Sequence, residues 1–444
     1  MTKHALSDPR IPRTRVSAMK PFSILSAAFL QAALCVAIGQ PASAQDLVAI
    51  RAGKAWTISG GVLENAVILV KDGRIEAVGT DLEVPWNAKV IDARDKVVLP
   101  AWVLAHSTAG LGGGNNERMQ NVPFLTVADG LDPSSLAIEE GRRNGVGVAN
   151  VMPGNQTLVA GRGLIARYVG RTVEEMTLRE RSGLKLSFAA GQGNVIAQIR
   201  EMRRVLEDAA TLKKDLDRKR EEWQKAKDAG AIKDEEFKEE PDETKKPLVD
   251  LIEGKLTGWL YVPGSAELAE VARLKETYAL KLVLVLGPRC YKAAAQVKAL
   301  GYPVVLDENA LEFRETDPET GDERLVSPAK AFADAGVEFA ISLGDESRSS
   351  ERFPWWQLAT LVRHGVDRET ALRALTSVPA RILGLESELG SIAAGRAANL
   401  QVLTGDPLQA TSWVDTLLID GEVVYERSKD QRLKLLFGES EAAK

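Results

Sequence analysis

The sequence predicts an α/β protein in which a barrel of strands and helices is joined to a small β-sandwich domain. Two observations support this fold. Short strands of alternating hydropathy occur near both ends of the chain, and strands alternate with helical stretches between them. With 444 residues and 45% hydrophobic side chains, the chain is long enough to bury the core of both parts.

Residues 1–44 have the order of charge and hydropathy that is typical of a secretory signal peptide. Five basic residues precede an apolar run at 22–38, and the small residues Ala42, Ser43 and Ala44 follow it. Met19 is an alternative start. The apolar run is shorter than the roughly 20 residues of a transmembrane helix. We therefore expect cleavage after Ala44, a periplasmic or secreted protein, and no stable membrane anchor.

Cleavage would change both the charge and the cysteine content of the chain. It removes five basic residues and one acidic residue, so the formal net charge moves from −5 to −9. An acidic chain argues against a nucleic-acid partner. Cys290 would be the only cysteine left, which excludes an intrachain disulfide and a cysteine-based zinc site.

The β-rich ends carry strong hairpin signals. Asp72-Gly73 separates apolar runs at 66–70 and 74–78, and Asp420-Gly421 separates runs at 416–419 and 422–425. In the middle, an apolar strand at 281–286 is followed by a helical stretch and a second strand at 303–306, which favours parallel strands in a barrel. The expected domains are a β-sandwich of 45–99 plus 391–430 and a barrel of 100–390.

A charged segment at about 200–247 interrupts this alternation. Apolar residues recur every three or four positions in its first half, which predicts an amphipathic helix, and Gly230 and Pro241 then interrupt the pattern. The segment is either a solvated excursion on the barrel surface or a lid or partner-docking helix.

Several motifs resemble the imidazolonepropionase-like branch of the amidohydrolase superfamily. They are Val98-Leu99-Pro100 with His106, the runs at 129–133, 145–154 and 159–163, Pro379-Ala380-Arg381-Ile382-Leu383-Gly384, and Gly390-Ser391-Ile392. The resemblance extends from about Val48 to Glu426. It implies a distorted TIM (β/α)8 barrel and a hydrolase acting on carbon–nitrogen bonds other than peptide bonds. It also implies a metal at the barrel mouth that activates water and an aspartate that accepts its proton.

Most metal ligands implied by the resemblance are replaced in this chain. His106 matches the first ligand and Asp345 the catalytic aspartate, with one residue of slippage. The remaining ligand positions hold Thr108, Tyr261, Pro263 and Leu286. The other two histidines are His4, in the leader segment, and His364, which we expect at the C-terminal end of a helix. A catalytic zinc site needs about three protein ligands, so we expect no metal.

Carboxylates offer an alternative to the lost histidines. Asp307 and Glu308 follow the strand at 304–306, and with His106 and Asp345 they would make an oxygen-rich site for a single divalent ion such as Mg²⁺ or Mn²⁺. In the alternative interpretation, Asp307 and Glu308 bind no metal and either cap a helix or lie on the surface. His106 and Asp345 would alternatively act as a metal-free acid and base, in which case they should lie within hydrogen-bond reach.

Four further residues are candidates to line the barrel mouth. Tyr261 and Arg289 follow or end predicted strands, while Trp355 and Trp356 lie shortly after Asp345. The tryptophans would either pack against the β-sandwich or line a ligand pocket. Cys290 has no histidine near it in sequence, which argues against a nucleophilic thiol.

These observations favour an exported protein with a degenerate metal-hydrolase site that serves as a ligand-binding or accessory protein. A working hydrolase of carbon–nitrogen or carbon–oxygen bonds with a rebuilt metal site and a metal-free lyase or isomerase are the alternatives. The expected partner is a small-molecule ligand or a related amidohydrolase subunit, and a homo-oligomer remains open. Fold resemblance alone does not assign function.

Overall fold

The computed structural model describes residues 47–112, 119–189, 194–231, 236–237, 244–307, 311–343 and 353–437. The expected leader segment, Glu308 and Asp345 lie outside these ranges. Within them, no helix is both long and apolar enough to cross a membrane.

The terminal segments build one seven-stranded, β-sandwich-like sheet, as the sequence predicts. Its order is β17-β16-β15-β4-β1-β2-β3, so strands from both ends of the chain meet where β15 pairs with β4. The strands are β1 (Leu47–Trp56), β2 (Val62–Lys71), β3 (Arg74–Gly79), β4 (Lys89–Pro100), β15 (Leu400–Leu403), β16 (Val414–Ile419) and β17 (Glu422–Glu426).

Both predicted Asp-Gly turns join antiparallel strands of this sheet. Asp72 and Gly73 have φ angles of 48° and 78°, and Asp420 and Gly421 have φ angles of 49° and 80°. Two successive residues in the left-handed region are what a two-residue type I′ hairpin requires. The turns also contact each other, because a Cβ atom on Gly421 would lie 2.8 Å from the Cα atom of Gly73. Glycine is therefore needed for close approach as well as for backbone conformation.

An eight-stranded sheet forms the nearly closed barrel between the terminal segments. Its order is β14-β11-β10-β9-β8-β7-β6-β5. The strands are β5 (Trp102–Ser107), β6 (Val146–Val151), β7 (Val159–Arg167), β8 (Thr177–Ser187), β9 (Gly258–Val262), β10 (Leu282–Leu286), β11 (Val304–Leu306) and β14 (Phe339–Ile341). A separate hairpin of β12 (Phe313–Thr316) and β13 (Glu323–Val326) lies between β11 and β14 in the chain.

The third barrel strand departs from the expected parallel arrangement. β7 is antiparallel to both β6 and β8, whereas β8 to β11 and β14 run parallel to their neighbours. The connections explain the difference. Only residues 152–158 link β6 to β7, and the link from β7 to β8 contains the four-residue helix α2 (Val173–Met176). Parallel neighbours need a crossover of a dozen or more residues.

Backbone hydrogen bonds from a helical connection close the barrel between β14 and β5. The N–H of Val103 donates to Leu375 O at 2.9 Å, and the N–H of Ile341 donates to Ala374 O at 3.2 Å. The Ser342 hydroxyl also donates to His106 O at 3.2 Å. The first and last barrel strands are thus joined partly through residues 374–375.

The remaining helices surround the barrel or follow the sheet. They are α1 (Leu136–Arg143), α3 (Val195–Asp228), α4 (Lys246–Ile252), α5 (Leu268–Tyr278), α6 (Ala294–Leu300), α7 (Pro328–Asp334), α8 (Pro354–Arg363), α9 (Arg368–Arg373), α10 (Ser377–Ile382) and α11 (Gln431–Phe437). α8 ends at Arg363 with His364 as its C-cap, which is the place predicted for this histidine.

The predicted amphipathic helix is α3, which begins earlier than expected and ends before Gly230. Its 34 residues give a length of about 51 Å. All five of its buried residues, from Gln198 to Ala209, lie in its first half. The ring of Trp223, in the exposed second half, packs edge to face against the ring of Phe237, which follows the helix in the chain, with 5.8 Å between the ring centroids. Pro241 lies outside the described residues.

A buried ion-pair cluster attaches the end of the chain to the barrel. The side chain of Asp430 is 1% exposed and accepts a hydrogen bond of 2.6 Å from Arg143 Nε, at the end of α1. It also accepts hydrogen bonds from the Tyr425 hydroxyl at 3.1 Å and from the N–H of Arg432 at 2.9 Å. The carboxylate is therefore fully paired with donors in its buried position.

Candidate functional site

The candidate site is a contact between Lys185 and His106 across the interior of the barrel. Lys185 lies on β8 between Leu184 and Leu186, which belong to the hydrophobic core outside the barrel sheet. Because side chains alternate along a strand, Lys185 faces the interior. Its Nζ atom lies 2.8 Å from Nε2 of His106. Both residues are buried: Lys185 is 0% exposed and His106 is 4% exposed.

A local irregularity of β5 places His106 in this contact. The interior cluster contains Val103 and Ala105, whereas Leu104 packs in the outer core, so simple alternation would turn His106 outward. The register of β5 against β6 shifts between Leu104 and Ser107. Such a bulge re-aims the side chains that follow it. The shift accounts for the imidazole meeting a lysine from the opposite side of the barrel.

Neighbouring polar groups hold the backbone on either side of His106. The Asn150 amide donates to Ala105 O at 3.0 Å and accepts a hydrogen bond of 2.5 Å from the Ser182 hydroxyl. The Ser342 hydroxyl donates to the carbonyl of His106 itself. These bonds connect β5 with β6, β8 and the end of β14, so the imidazole is carried on a fixed backbone.

Burial governs the protonation of both groups. It lowers the pKa of Lys185 to about 7, and the negative charge of Asp307 opposes that shift. Burial, followed by the positive charge of Lys185, holds the pKa of His106 well below its ordinary value. The imidazole is therefore neutral near pH 7, and the protonated form of Lys185 donates a hydrogen bond to its Nε2 atom.

The described residues at the mouth bring no set of zinc ligands together. The Nε2 atom of His106 is occupied by a lysine donor rather than left open to a metal. Thr108 Oγ1 is buried and has no hydrogen-bond partner in the described part of the chain. No group of three histidine, cysteine, aspartate or glutamate side chains suited to a metal occurs among the residues the structure describes.

Two of the site residues predicted from the sequence lie near Lys185, and a third is exposed at the surface. Tyr261 lies on β9 with its ring centroid 6.0 Å from Lys185 Nζ, and Asp307 follows β11 within electrostatic reach of the same lysine. Arg289 is exposed in the short 3₁₀ helix Pro288–Ala293, after β10. The catalytic candidate Asp345 and the mouth-lining candidate Glu308 lie outside the described residues, so the expected contact between His106 and Asp345 stays a prediction.

The two tryptophans lie on α8, away from the lysine–histidine contact. Trp355 lines a small cavity with Trp102, Trp413 and other residues next to the terminal sheet, which matches packing against that domain. Trp356 is 52% exposed. Cys290 is buried, its thiol contacts Val262 O at 3.2 Å, and burial raises its pKa to about 12, which agrees with an unreactive thiol.

Lys185 is the functional residue that the sequence analysis misses. The available signal is a single lysine within an otherwise apolar stretch, Leu184-Lys185-Leu186. A charged residue on a buried strand needs an explanation, because lysine is almost never fully buried without a partner. Its partner is 79 positions away in the chain, so spacing does not reveal the contact.

Comparisons with known proteins agree with this architecture. A family model described as an amidohydrolase family matches residues 306–425. A solved structure of an amidohydrolase from Thermotoga maritima MSB8 is 27% identical, with a TM-score of 0.74, and the match covers 86% of this chain and 100% of that one. No curated protein sequence matches the chain.

More distant structures share the fold alone. An adenosine deaminase from Xanthomonas campestris with bound zinc is 16% identical, with a TM-score of 0.51, over 89% of this chain and 97% of that one. A triazine hydrolase from Arthrobacter aurescens is 13% identical, with a TM-score of 0.50, over 90% of this chain and 100% of that one.

Proposed function

Since the chain belongs to the amidohydrolase superfamily, we propose that it is an exported member whose metal-hydrolase site is degenerate and which binds a small molecule without metal catalysis. It binds that ligand either on its own or as an accessory to a related amidohydrolase subunit. The imidazolonepropionase-like branch is the part of the superfamily that its motifs resemble.

The observation that supports this proposal is the Lys185–His106 contact. A metal ligand must present a free lone pair, whereas Nε2 of His106 lies 2.8 Å from Lys185 Nζ, which donates to it whenever the lysine is protonated. The positive charge of a lysine at this point also opposes a divalent cation by electrostatic repulsion. Thr108, two residues later, supplies a neutral hydroxyl where imidazole would be required.

The alternative of a rebuilt, oxygen-rich metal site depends on Asp307, Glu308 and Asp345. Asp307 already interacts electrostatically with Lys185, which stabilises the lysine cation. A divalent ion bound to Asp307 would therefore compete with Lys185 for the same carboxylate. For this reason we favour the metal-free protein over the rebuilt hydrolase.

Metal analysis of the mature protein tests the proposal. We expect the exported chain, grown with added zinc and manganese and dialysed against a chelator, to retain far less than one metal ion per chain. Elemental mass spectrometry gives the stoichiometry. Roughly one or more tightly held ions per chain would contradict the proposal, and the same measurement on a Lys185→Met variant would show whether the lysine affects metal binding.

The location proposed for the protein is tested separately by its N-terminus. We expect cleavage after Ala44, because Ala42 and Ala44 are the small residues that signal peptidase accepts. Intact-mass spectrometry of the exported protein should give a chain that begins at Gln45, and an Ala44→Glu variant should remain uncleaved. An exported wild-type chain that begins at Met1 or Met19 would refute export by cleavage.

A further inference from the structure

We propose that Lys185, His106 and Thr108 form a binding site for a small molecule that bears a carboxylate, with Lys185 as the charge partner of that carboxylate. The inference rests on the proposed function, because it assigns to a ligand the place that a metal would otherwise take. It names the class of ligand, which the fold does not.

The first argument is the incomplete pairing of Lys185. Its side chain is fully buried, and among the described residues its direct hydrogen bond is the one to His106. Among the described residues it forms no ion pair, and the negative charge of Asp307 acts on it electrostatically. An ammonium group has three donors, and among the described side chains only that of His106 is hydrogen-bonded to one of them. Burial disfavours the charged form of this lysine, and an anionic ligand would offset that effect.

The second argument is an independent buried hydroxyl two residues from His106 in the chain. Thr108 is 7% exposed and its Oγ1 atom has no hydrogen-bond partner within the described ranges. It lies two residues beyond His106, directly after the end of β5. Its hydroxyl is thus available as a second donor to the same ligand. A buried hydroxyl with no partner among the described residues has a donor to offer to an acceptor on a ligand.

The third argument concerns the charge of the ligand. The site offers one buried ammonium group and one hydroxyl, which together match a monoanion. A phosphate dianion is usually held by several cations, by an arginine fork or by a helix N-terminus. At the rim, Arg289 is exposed and makes no ion pair with a described acid, so it adds attraction for an anion without entering the buried site.

A matched pair of probes separates charge from shape. Sodium butyrate and butyramide are similar in size, and only butyrate is charged. We expect butyrate to raise the melting temperature of the mature protein in a concentration-dependent way, and butyramide and equal sodium chloride to leave it unchanged. Titration calorimetry should give the same ranking.

Two variants tie the binding to the named residues. Lys185→Met keeps the length of the side chain, removes the charge and should fold, because replacing a buried charge by an apolar side chain is often neutral or stabilising. We expect it to weaken butyrate binding at least about tenfold, which corresponds to about 1.4 kcal/mol. Thr108→Val should weaken binding by a smaller factor. Lys281→Met, at an exposed lysine before β10, is the control and should bind butyrate as the wild type does.

Three results would overturn the inference. They are equal responses to butyrate and butyramide, unchanged butyrate binding by Lys185→Met, and a stronger response to inorganic phosphate than to butyrate. Absence of any response to butyrate would overturn it as well. These outcomes are separate from failure of the proposed function, which is decided by metal retention. A metal-free chain that ignores butyrate contradicts only this inference.

Discussion

Two buried ionisable side chains in this molecule, Asp430 and Lys185, have contrasting sets of partners. Asp430, at the end of the terminal sheet, is surrounded by donors and forms a direct ion pair with Arg143. Lys185, in the barrel interior, has the imidazole of His106 as its hydrogen-bond partner and is influenced by the negative charge of Asp307. Both side chains are buried, but of the two only Asp430 forms an ion pair within the described ranges.

The difference separates a charge that protein donors compensate from one for which the effect of burial prevails. Burial raises the pKa of Asp430, but hydrogen bonds from Arg143 and the charge of that arginine outweigh the effect, and its pKa lies below the ordinary value. At Lys185 the effect of burial prevails. Strongly perturbed groups that the fold does not compensate occur preferentially at functional sites. The comparison therefore predicts different consequences of mutation at the two places.

The largest expected effect is on the fully paired charge. Asp430→Ala removes the most buried of the three carboxylates that pair with Arg143 and leaves the Tyr425 hydroxyl and the N–H of Arg432 without their acceptor, so it should lower the free energy of unfolding by about 3 kcal/mol. Urea denaturation measures this change. Glu426→Ala is the control, because its pair with Lys429 is exposed and should contribute less than about 1 kcal/mol. Equal losses in the two variants would mean that burial does not distinguish the ion pairs.

His106→Ala tests the other side of the comparison and should have a smaller effect. It removes the acceptor of the Lys185 hydrogen bond and should cost about 1–2 kcal/mol of stability. Adding Lys185→Met to this variant should restore part of the loss, because the uncompensated amine is then gone, and a double-mutant cycle measures the coupling. His364→Ala, at a half-buried imidazole that contacts Glu312, is the matched control. Strictly additive effects of His106→Ala and Lys185→Met would contradict a direct interaction.

The smallest effect is expected from pH. Because the folded pKa of Asp430 is lowered, its stabilising contribution is fully present above the unfolded pKa of about 4 and is lost as pH falls through the folded pKa. The stability difference between wild type and Asp430→Asn should therefore be constant from about pH 6 to 7 and shrink below about pH 4. Urea denaturation at several pH values measures it. A difference that grows toward acid pH would reverse the assigned sign.

The fold could be predicted where local sequence determines local structure. Asp72-Gly73 and Asp420-Gly421 favour two-residue hairpin turns because such pairs tolerate left-handed backbone conformations, and both hairpins are present. The antiparallel direction of β7 was not predicted. It follows from the lengths of the connections on either side of that strand, which become evident only when the ends of β6, β7 and β8 are known.

The candidate site could be predicted only in part. His106, Tyr261 and Asp307 were identified as mouth residues, and all three lie near Lys185 or interact with it. Lys185 itself was not identified, because the resemblance directs attention to histidines and a single lysine has no characteristic spacing. Its contact with His106 arises from strands on opposite sides of the barrel and from a bulge in β5, neither of which leaves a periodic pattern in the sequence.

The closure of the barrel also protects the protein from unwanted strand addition. The edge strands β5 and β14 would each present unpaired backbone groups to a strand of another molecule. Val103 and Ile341 direct their N–H groups to the connection at 374–375 instead, and Ser342 bonds to the carbonyl of His106. The strand that carries the candidate site thus has part of its free edge covered. The residues that cover this edge, 374–375 and Ser342, therefore link resistance to aggregation with the support of the backbone at His106.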